Sequence, residues 1–169
     1  MLTAHPVGVN SMHNPVYGPA RIARASRRAP MATREEIADA IAGMAMFADL
    51  ARPQLLGVAS QFEEAFFPKG ARILRQGLTG SGFYVILDGE ADVIADGDRR
   101  ATLARGDFFG EVSVLLGEPP IADVVATRPL RCIVIGGPGL EQFLVEHPKV
   151  MYRMLQASAR RLRNSTSRR

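Results

Sequence analysis

Several residue types and patterns are scarce in this chain, and each absence excludes a class of protein. Tryptophan is missing and aromatic residues make up 7% of the 169 residues, so aliphatic side chains must build the core. The single cysteine excludes an intramolecular disulfide framework and fits a reducing compartment. No apolar run approaches the ~18 residues of a membrane span, and the N-terminus lacks the apolar segment of a signal peptide. We therefore expect a cytoplasmic protein with one compact domain and tails.

Acidic residues are absent from both ends of the chain, although the whole chain has a net charge of only +4. Residues 1–34 and residues 160–169 each contain five arginines and no acidic residue, so residues 35–159 carry a net charge of −6. Basic ends of this kind can attract nucleic acid, anionic lipid or an acidic partner. The alternative is that they are solvated tails that bind nothing.

Both ends of the predicted domain, residues 33–163, read as helical. Residues 1–32 have no apolar periodicity and predict a disordered basic tail, in which Met31 is a candidate start residue. Thr33 and Glu36 form a capping-box pattern at a helix start, and Pro53 can lie in the first turn of a second helix.

Toward the C-terminus, residues 140–146 predict a short helix after the glycine-rich residues 136–139. Pro148 can begin the last helix, which we expect to run to about Arg163. A basic C-terminal tail of residues 164–169 completes the predicted organisation.

Between these helical ends the pattern changes to short apolar segments separated by turns. The predicted strands cover residues 62–67, 71–74, 83–87, 91–95, 101–104, 124–127 and 130–135. The pairs Asp88-Gly89 and Asp96-Gly97 are typical of tight turns between antiparallel strands. Eight or so strands flanked by helices predict a mainly β sandwich or barrel rather than a parallel sheet.

One segment, residues 106–120, interrupts the strand pattern. Gly110 permits a tight turn, residues 111–116 can form little more than one helical turn, and Gly117 can end it. The start of a helix presents backbone N–H groups that favour an anion. Glu111 in that first turn would lie beside a ligand and could accept hydrogen bonds from sugar hydroxyls. The alternative is that Glu111 is only a favourable residue for a helix start.

This segment resembles the phosphate-binding cassette of the cyclic nucleotide-binding domain family, which includes kinase regulatory subunits, cation channels and catabolite activator proteins. The resemblance covers about residues 45–163 and rests on three motifs. They are Phe67-Pro68-Lys69-Gly70, Gly82-Phe83-Tyr84-Val85-Ile86-Leu87-Asp88-Gly89-Glu90 and Phe109-Gly110-Glu111. The resemblance implies an eight-stranded jelly-roll barrel with flanking helices. It also implies a non-enzymatic regulatory role and a cyclic nucleotide, cyclic AMP or cyclic GMP, as the candidate ligand.

The resemblance also indicates which residues bind the ligand and where this chain departs from the family. The implied ligand-binding residues are Gly110, Glu111, Val112, Ser113, Ile121 and Ala122, with Glu111 at the ribose 2′-hydroxyl. Pro120 replaces the arginine that binds the cyclic phosphate, and Asp123 stands where a small hydroxyl residue is usual. Proline has neither a charge nor an N–H donor, and Asp123 would repel a phosphate if it faced the pocket. We therefore expect weak binding, unless Arg100 or Arg105 supplies a cation from a neighbouring strand.

No pattern in the sequence predicts catalysis or metal binding. His5, His13 and His147 lack metal-ligand spacing, and Cys132 lies in an apolar strand where it serves as a core residue. Walker and nucleophile-elbow motifs are absent from the sequence. We predict no enzymatic activity and no cofactor. Because no helix-turn-helix pattern follows Arg163, we also expect no sequence-specific DNA binding.

Met151, Leu155, Ser158 and Leu162 repeat at heptad spacing in the last predicted helix. One interpretation is an apolar seam that joins two copies of the chain, and the other is that these side chains pack on the strands.

Two functions stay open. The first is a sensor that binds a cyclic nucleotide or a related anion weakly. The second is a ligand-free scaffold that binds an unidentified protein partner, forms a homodimer or acts through its arginine-rich tails.

Overall fold

The computed structural model describes residues 31–78 and 82–166. The N-terminal helices are α1 (Arg34–Ala42), a 3₁₀ helix (Ala45–Phe47) and α2 (Arg52–Ala59). The strands are β1 (Glu63–Phe67), β2 (Arg72–Leu74), β3 (Gly82–Asp88), β4 (Ala91–Ala95), β5 (Asp98–Leu103), β6 (Phe108–Phe109), β7 (Asp123–Ala126) and β8 (Leu130–Gly136). Helix α3 (Glu111–Leu116) lies between β6 and β7, and α4 (Gly137–Glu146) and α5 (Pro148–Thr166) follow β8. Most of the two predicted tails, residues 1–30 and 167–169, lies outside the described residues.

The eight strands form two four-stranded antiparallel sheets, in the orders β1-β8-β3-β6 and β2-β7-β4-β5. This arrangement confirms the predicted mainly β jelly-roll fold with flanking helices. Within the described ranges, no strand of one sheet pairs with a strand of the other, so the two sheets do not form a closed barrel.

The alternation of side chains along the strands divides the core into two layers. Val85 on β3 and Phe108 on β6 face the helices and join the larger, helix-side core. Their neighbours Ile86 and Phe109 point the opposite way, into the core between the sheets. Cys132 is buried in that second core, where desolvation raises the pKa of its thiol to about 12, consistent with a core role rather than a reactive one.

Local sequence signals explain where the N-terminal helices begin. The Glu36 N–H donates to Thr33 Oγ1 at 3.2 Å, and the Thr33 N–H donates to Glu36 Oε2 at 2.7 Å. This reciprocal pair satisfies two of the donors that a helix start leaves unpaired, and it confirms the predicted capping box. Pro53 lies in the first turn of α2, also as predicted.

Several boundaries differ from the predicted ones, among them the start of β5, which lies at Asp98, three residues before the predicted start. Phe108 and Phe109 form a short strand inside the segment that we expected to interrupt the sheet. Helix α4 begins at Gly137, three residues earlier than predicted, because Pro138 needs no N–H acceptor in a first helical turn. The last helix continues to Thr166 rather than ending near Arg163.

The last helix, α5, has a buried face and an exposed apolar face. Val150 and Met154 are buried in the helix-side core. Met151, Leu155 and Leu162 lie on the other side of the helix and are 43%, 64% and 69% exposed. The interpretation that the heptad residues pack on the strands is therefore wrong, because the buried stripe follows Val150 rather than Met151.

Candidate functional site

Residues 106–120 form a tight turn and the short helix α3 at one end of the sheet β1-β8-β3-β6. Strand β6 pairs with β3, which brings Gly110 against Gly82. Gly110 has a φ of +87°, and a Cβ atom there would lie 2.1 Å from the carbonyl oxygen of Gly82. Gly117 ends α3 with a φ of +66°. The predicted limits of this helix are confirmed, because both flanking backbones are left-handed and favour glycine.

Glu111, the predicted sugar-binding carboxylate, is buried in the first turn of α3 with 7% of its surface exposed. Its Oε1 atom accepts a hydrogen bond from Arg161 Nη1 of α5 at 3.0 Å. Arg161 Nη2 donates to the carbonyl oxygen of Phe108 at 2.6 Å, and the guanidinium lies 4.2 Å from the centre of the Phe108 ring. One arginine side chain therefore joins the last helix to the cassette through three contacts.

The electrostatics of Glu111 combine two opposing effects. Burial raises the pKa of Glu111 above its ordinary value, while the positive charge of Arg161 lowers it. Desolvation is the larger effect, so the ion pair compensates only part of the cost of burying the carboxylate. The site thus pairs one buried carboxylate with one neighbouring cation.

The other predicted binding residues do not all lie together. Ser113 is buried, and its hydroxyl donates to the carbonyl oxygen of Gly110 at 3.1 Å within the same helical turn. Val112 and Ala122 are half-buried, whereas Ile121 is 63% exposed. The cassette therefore gathers Gly110, Glu111 and Ser113 in its interior, and Ile121 extends into solvent.

Pro120 occupies the position where the resemblance implied an arginine. The residue is buried, and its carbonyl oxygen accepts a hydrogen bond from the Gly77 N–H at 2.9 Å. That bond connects the end of the cassette to the segment after β2. Position 120 therefore contributes a backbone acceptor and an apolar ring, and no positive charge.

Asp123 points away from the core between the sheets. It pairs with Ile94 in the β4–β7 ladder, while its neighbour Val124 is buried between the sheets, so the Asp123 side chain lies on the outer face. There Arg72 Nη1 approaches Asp123 Oδ2 at 3.2 Å, and the Gln76 N–H donates to Oδ1 at 2.7 Å. Asp123 therefore does not oppose a phosphate in the interior, as we had expected if it faced the pocket.

The two arginines named as substitute cations make other contacts. Arg105 donates from Nη1 to the carbonyl oxygen of Leu87 and from Nη2 to that of Ala40, both at 2.7 Å. Arg105 thus fastens α1 to the end of β3 and does not reach the cassette. Arg100 Nη2 lies 3.5 Å from Asp98 Oδ2 on its own strand.

Sequence reasoning missed Arg161 as a functional residue. It lies 50 positions after Glu111, in a stretch that composition assigned to a basic end of the chain. No motif connects the two residues, because their contact depends on how α5 packs against β6. On the other side of β6, the ring of Tyr84 stacks on the ring of Phe109, with the ring centres 4.8 Å apart.

Two further findings concern only the residues that the structure describes. Within residues 31–78 and 82–166, no group of three or more His, Cys, Asp or Glu side chains could hold a metal ion. None of the described helices combines the length and apolar character needed to span a bilayer.

Comparison with known families decides the relationship that the cassette suggested. Residues 64–147, from the second residue of β1 to the end of α4, match the family model of the cyclic nucleotide-binding domain. This part of the chain is a cyclic nucleotide-binding domain. The recognition drawn from the cassette and turn motifs is therefore confirmed.

Solved structures agree with this cyclic nucleotide-binding domain in fold. A cyclic nucleotide-binding domain from Methylobacillus flagellatus is 29% identical with a TM-score of 0.68, and the match covers 80% of this chain and 81% of that one. The catabolite activator protein of Thermus thermophilus is 26% identical with a TM-score of 0.66, over 73% of this chain and 61% of that one. The regulatory subunit of a cAMP-independent protein kinase A from Trypanosoma brucei is 26% identical with a TM-score of 0.63, over 73% and 47%. The chain thus spans about half to three fifths of these last two proteins.

Proposed function

We propose that this domain is a non-enzymatic regulatory module that binds cyclic AMP and cyclic GMP weakly. The observation that carries the proposal is the composition of the cassette. It keeps a buried carboxylate at Glu111 for a ribose hydroxyl and has a buried proline where a cation would bind the phosphate. The fold and family supply the regulatory part of the proposal.

The contact between Glu111 and Arg161 also supports weak binding. A ribose hydroxyl would have to share or replace the hydrogen bond that Arg161 makes with Glu111 Oε1. Hydrogen bonds to charged groups contribute about 1.5–3 kcal/mol, so replacing one reduces the net gain from the ligand. Ligand binding at Glu111 would also weaken the hydrogen bond by which Arg161 holds α5 to the cassette. A change in the pocket would then be transmitted to α5 at the surface of the domain.

One similar protein supports a regulatory role with weak or no cyclic AMP binding. The Trypanosoma brucei regulatory subunit is described as part of a cAMP-independent kinase, so a chain of this fold can serve in regulation without responding to cyclic AMP. Location in the cytoplasm and binding through the arginine-rich ends stay predictions.

Calorimetry of the full chain with cyclic AMP and cyclic GMP tests the proposal. We expect dissociation constants on the order of 0.1 mM or weaker for both. At millimolar nucleotide, the melting temperature of the wild type should rise because the ligand binds the folded state, and that of Glu111→Ala should not. Glu118→Ala is the matched control, since Glu118 is an exposed acidic residue of the same segment.

Low-micromolar binding of either nucleotide would contradict the proposal that the cassette binds nucleotides weakly. An equal rise in melting temperature for Glu111→Ala would show that the nucleotide binds elsewhere. No rise in either protein would favour the second candidate function.

The second candidate is a ligand-independent interaction module, and the exposed apolar face of α5 favours it. Met151, Leu155 and Leu162 are large side chains at heptad spacing that remain exposed in the single chain. A second copy could cover them in an antiparallel or parallel helix pair. The homodimer predicted from the heptad spacing therefore has an available surface.

Light scattering checks the homodimer. We expect a dimer mass for the wild type and a monomer mass for the combined Leu155→Asp, Leu162→Asp variant, because two charges would lose water contact at the seam. The affinity between copies should fall by about a hundredfold or more. Val145→Asp changes an equally exposed apolar residue of α4 and should leave the mass unchanged. A monomeric mass for the wild type, or an unchanged mass for the double variant, would show that Leu155 and Leu162 do not form a dimer interface.

A further inference from the structure

The last helix, α5, differs in charge from the rest of the domain. All 17 acidic residues of the sequence lie between residues 35 and 146, so the helix, Pro148–Thr166, contains none of them. It contains five basic residues and has a net charge of +5. Residues 31–147 contain ten basic and 17 acidic residues, which gives a net charge of −7. A basic helix therefore lies at the surface of an acidic domain.

Two of the five cations of α5 pair with acidic residues of the domain. Arg153 donates to both carboxylate oxygens of Asp49, at 2.6 and 3.0 Å. Arg161 is paired with Glu111. The other three cations are exposed, and the turn of about 100° per residue places them on one flank of the helix. This basic flank consists of Lys149, Arg160 and Arg163. It can meet an anionic surface without breaking either of the two ion pairs.

The opposite flank of α5 is apolar. The stripe that faces the core contains Val150 and Met154. About 100° round the helix from this stripe lies the apolar flank, which consists of the exposed residues Met151, Leu155 and Leu162. Tyr152 lies between the apolar and basic flanks, on the side opposite Met154, and is 61% exposed. The solvent-facing half of α5 therefore changes from apolar to aromatic to basic around its circumference.

This distribution of side chains is typical of helices that lie in a membrane interface, which combine Lys and Arg with an apolar face. A second copy whose α5 pairs with this one could cover only the apolar flank, because both helices have the same charge of +5. A nucleic acid could match only the basic flank. An anionic bilayer matches both flanks, since its headgroups carry negative charge and its acyl chains accept apolar side chains.

We propose that α5 is a docking surface for an anionic lipid bilayer. The helix would lie parallel to the membrane, with its apolar flank where headgroups meet acyl chains and its basic flank against the lipid phosphates. Tyr152 would lie at the level of the headgroups, as aromatic residues do at membrane interfaces. The acidic remainder of the domain would be repelled and would face away from the membrane. Since the apolar flank is also the seam of the second candidate function, lipid and a second copy compete for it.

Cosedimentation of the full chain with large unilamellar vesicles tests this docking surface. The probe is phosphatidylcholine with about 30% phosphatidylserine, and the reference is phosphatidylcholine alone. One basic residue near an anionic surface strengthens binding about fivefold, so three should favour the anionic vesicles by about a hundredfold at ~0.1 M salt. At ~1 M salt this preference should be lost, because the screening length falls from about 10 Å to about 3 Å.

Three variants show which side chains bind the vesicles. The combined Arg160→Gln, Arg163→Gln variant should bind anionic vesicles about 25-fold more weakly and keep the light-scattering mass of the wild type. Tyr152→Ser removes an aromatic ring outside the heptad seam and should weaken binding about tenfold. The matched control, combined Arg99→Gln, Arg100→Gln, removes two exposed arginines of β5 in the other sheet and should bind like the wild type. All of these positions are exposed, so each variant should fold.

Equal binding to both kinds of vesicle, or no binding at ~0.1 M salt, would overturn the docking surface. An equal loss in the control would do the same, because net charge rather than α5 would then decide binding. Unchanged affinity in Tyr152→Ser would mean that arginines alone bind the headgroups, and tighter binding to a DNA duplex than to the vesicles would assign the basic flank to nucleic acid. Either result would also overturn the proposal. The vesicle experiment contains no nucleotide, so it and the cyclic nucleotide calorimetry can fail independently.

Discussion

Replacing Pro120 with arginine should strengthen cyclic AMP binding by on the order of ten- to a hundredfold. A charge-assisted hydrogen bond contributes about 1.5–3 kcal/mol, and ~1.4 kcal/mol corresponds to a factor of ten in affinity. Within residues 31–78 and 82–166, the backbone hydrogen bond of Pro120 is the one that its carbonyl oxygen accepts from the Gly77 N–H, and arginine retains that carbonyl. Asp123 points outward to Arg72, so it would not counteract the new cation inside the pocket.

Calorimetry of Pro120→Arg and Pro119→Arg side by side measures this effect. Pro119 is the exposed neighbour, so its replacement adds the same charge without placing it at the cassette position. A cooperative melting transition in each variant shows that the fold is intact, and Pro120→Arg should melt below Pro119→Arg without ligand, because an arginine at the buried position 120 carries a desolvation cost. Equal affinities for the two variants, or no gain in Pro120→Arg, would mean that the missing arginine is not what limits binding.

Replacing Gly110 with alanine should destabilise the domain by about 2–5 kcal/mol. The left-handed backbone at a φ of +87° costs an L-residue about 1–2 kcal/mol. The new Cβ would also lie 2.1 Å from the Gly82 carbonyl oxygen, so the backbone must move, and overpacking of this kind costs about 1–3 kcal/mol. Because β6 and α3 meet at this residue, the cassette would shift relative to β3.

Urea unfolding of Gly110→Ala and Gly117→Ala separates the two causes. Gly117 also has a left-handed backbone, at a φ of +66°, but a Cβ there has no neighbour within 4 Å. Gly117→Ala should therefore cost only the conformational part, about 1–2 kcal/mol. If the two variants lose the same free energy of unfolding, the close approach of Gly110 and Gly82 contributes nothing.

Elements whose limits depend on neighbouring residues were predictable from the sequence. Thr33 and Glu36 mark the start of α1 because their side chains and backbones pair within a single turn. Gly110 and Gly117 limit α3 because each adopts a backbone conformation that other residues avoid. The short strand at Phe108 was missed, since two residues carry too little alternation to identify a strand.

Contacts between distant segments could not be predicted in the same way. Arg161 meets Glu111 and Arg105 meets Ala40 across separations of 50 and 65 residues. Arginine side chains are long and commonly exposed, so nothing in the local pattern distinguishes one that pairs with a buried carboxylate from one in solvent.

The cassette lacks the arginine that binds the phosphate in the family. It illustrates which properties the sequence determines and which only the tertiary structure decides. The sequence by itself determined the family, the order of strands and turns, and the proline at position 120, because glycine turns and residue identity are local properties. Tertiary structure decided which face of α5 is buried, where Asp123 points and which group Glu111 binds. The physical reason is geometric, since a change of one residue in strand register or helix phase turns a side chain toward a different face.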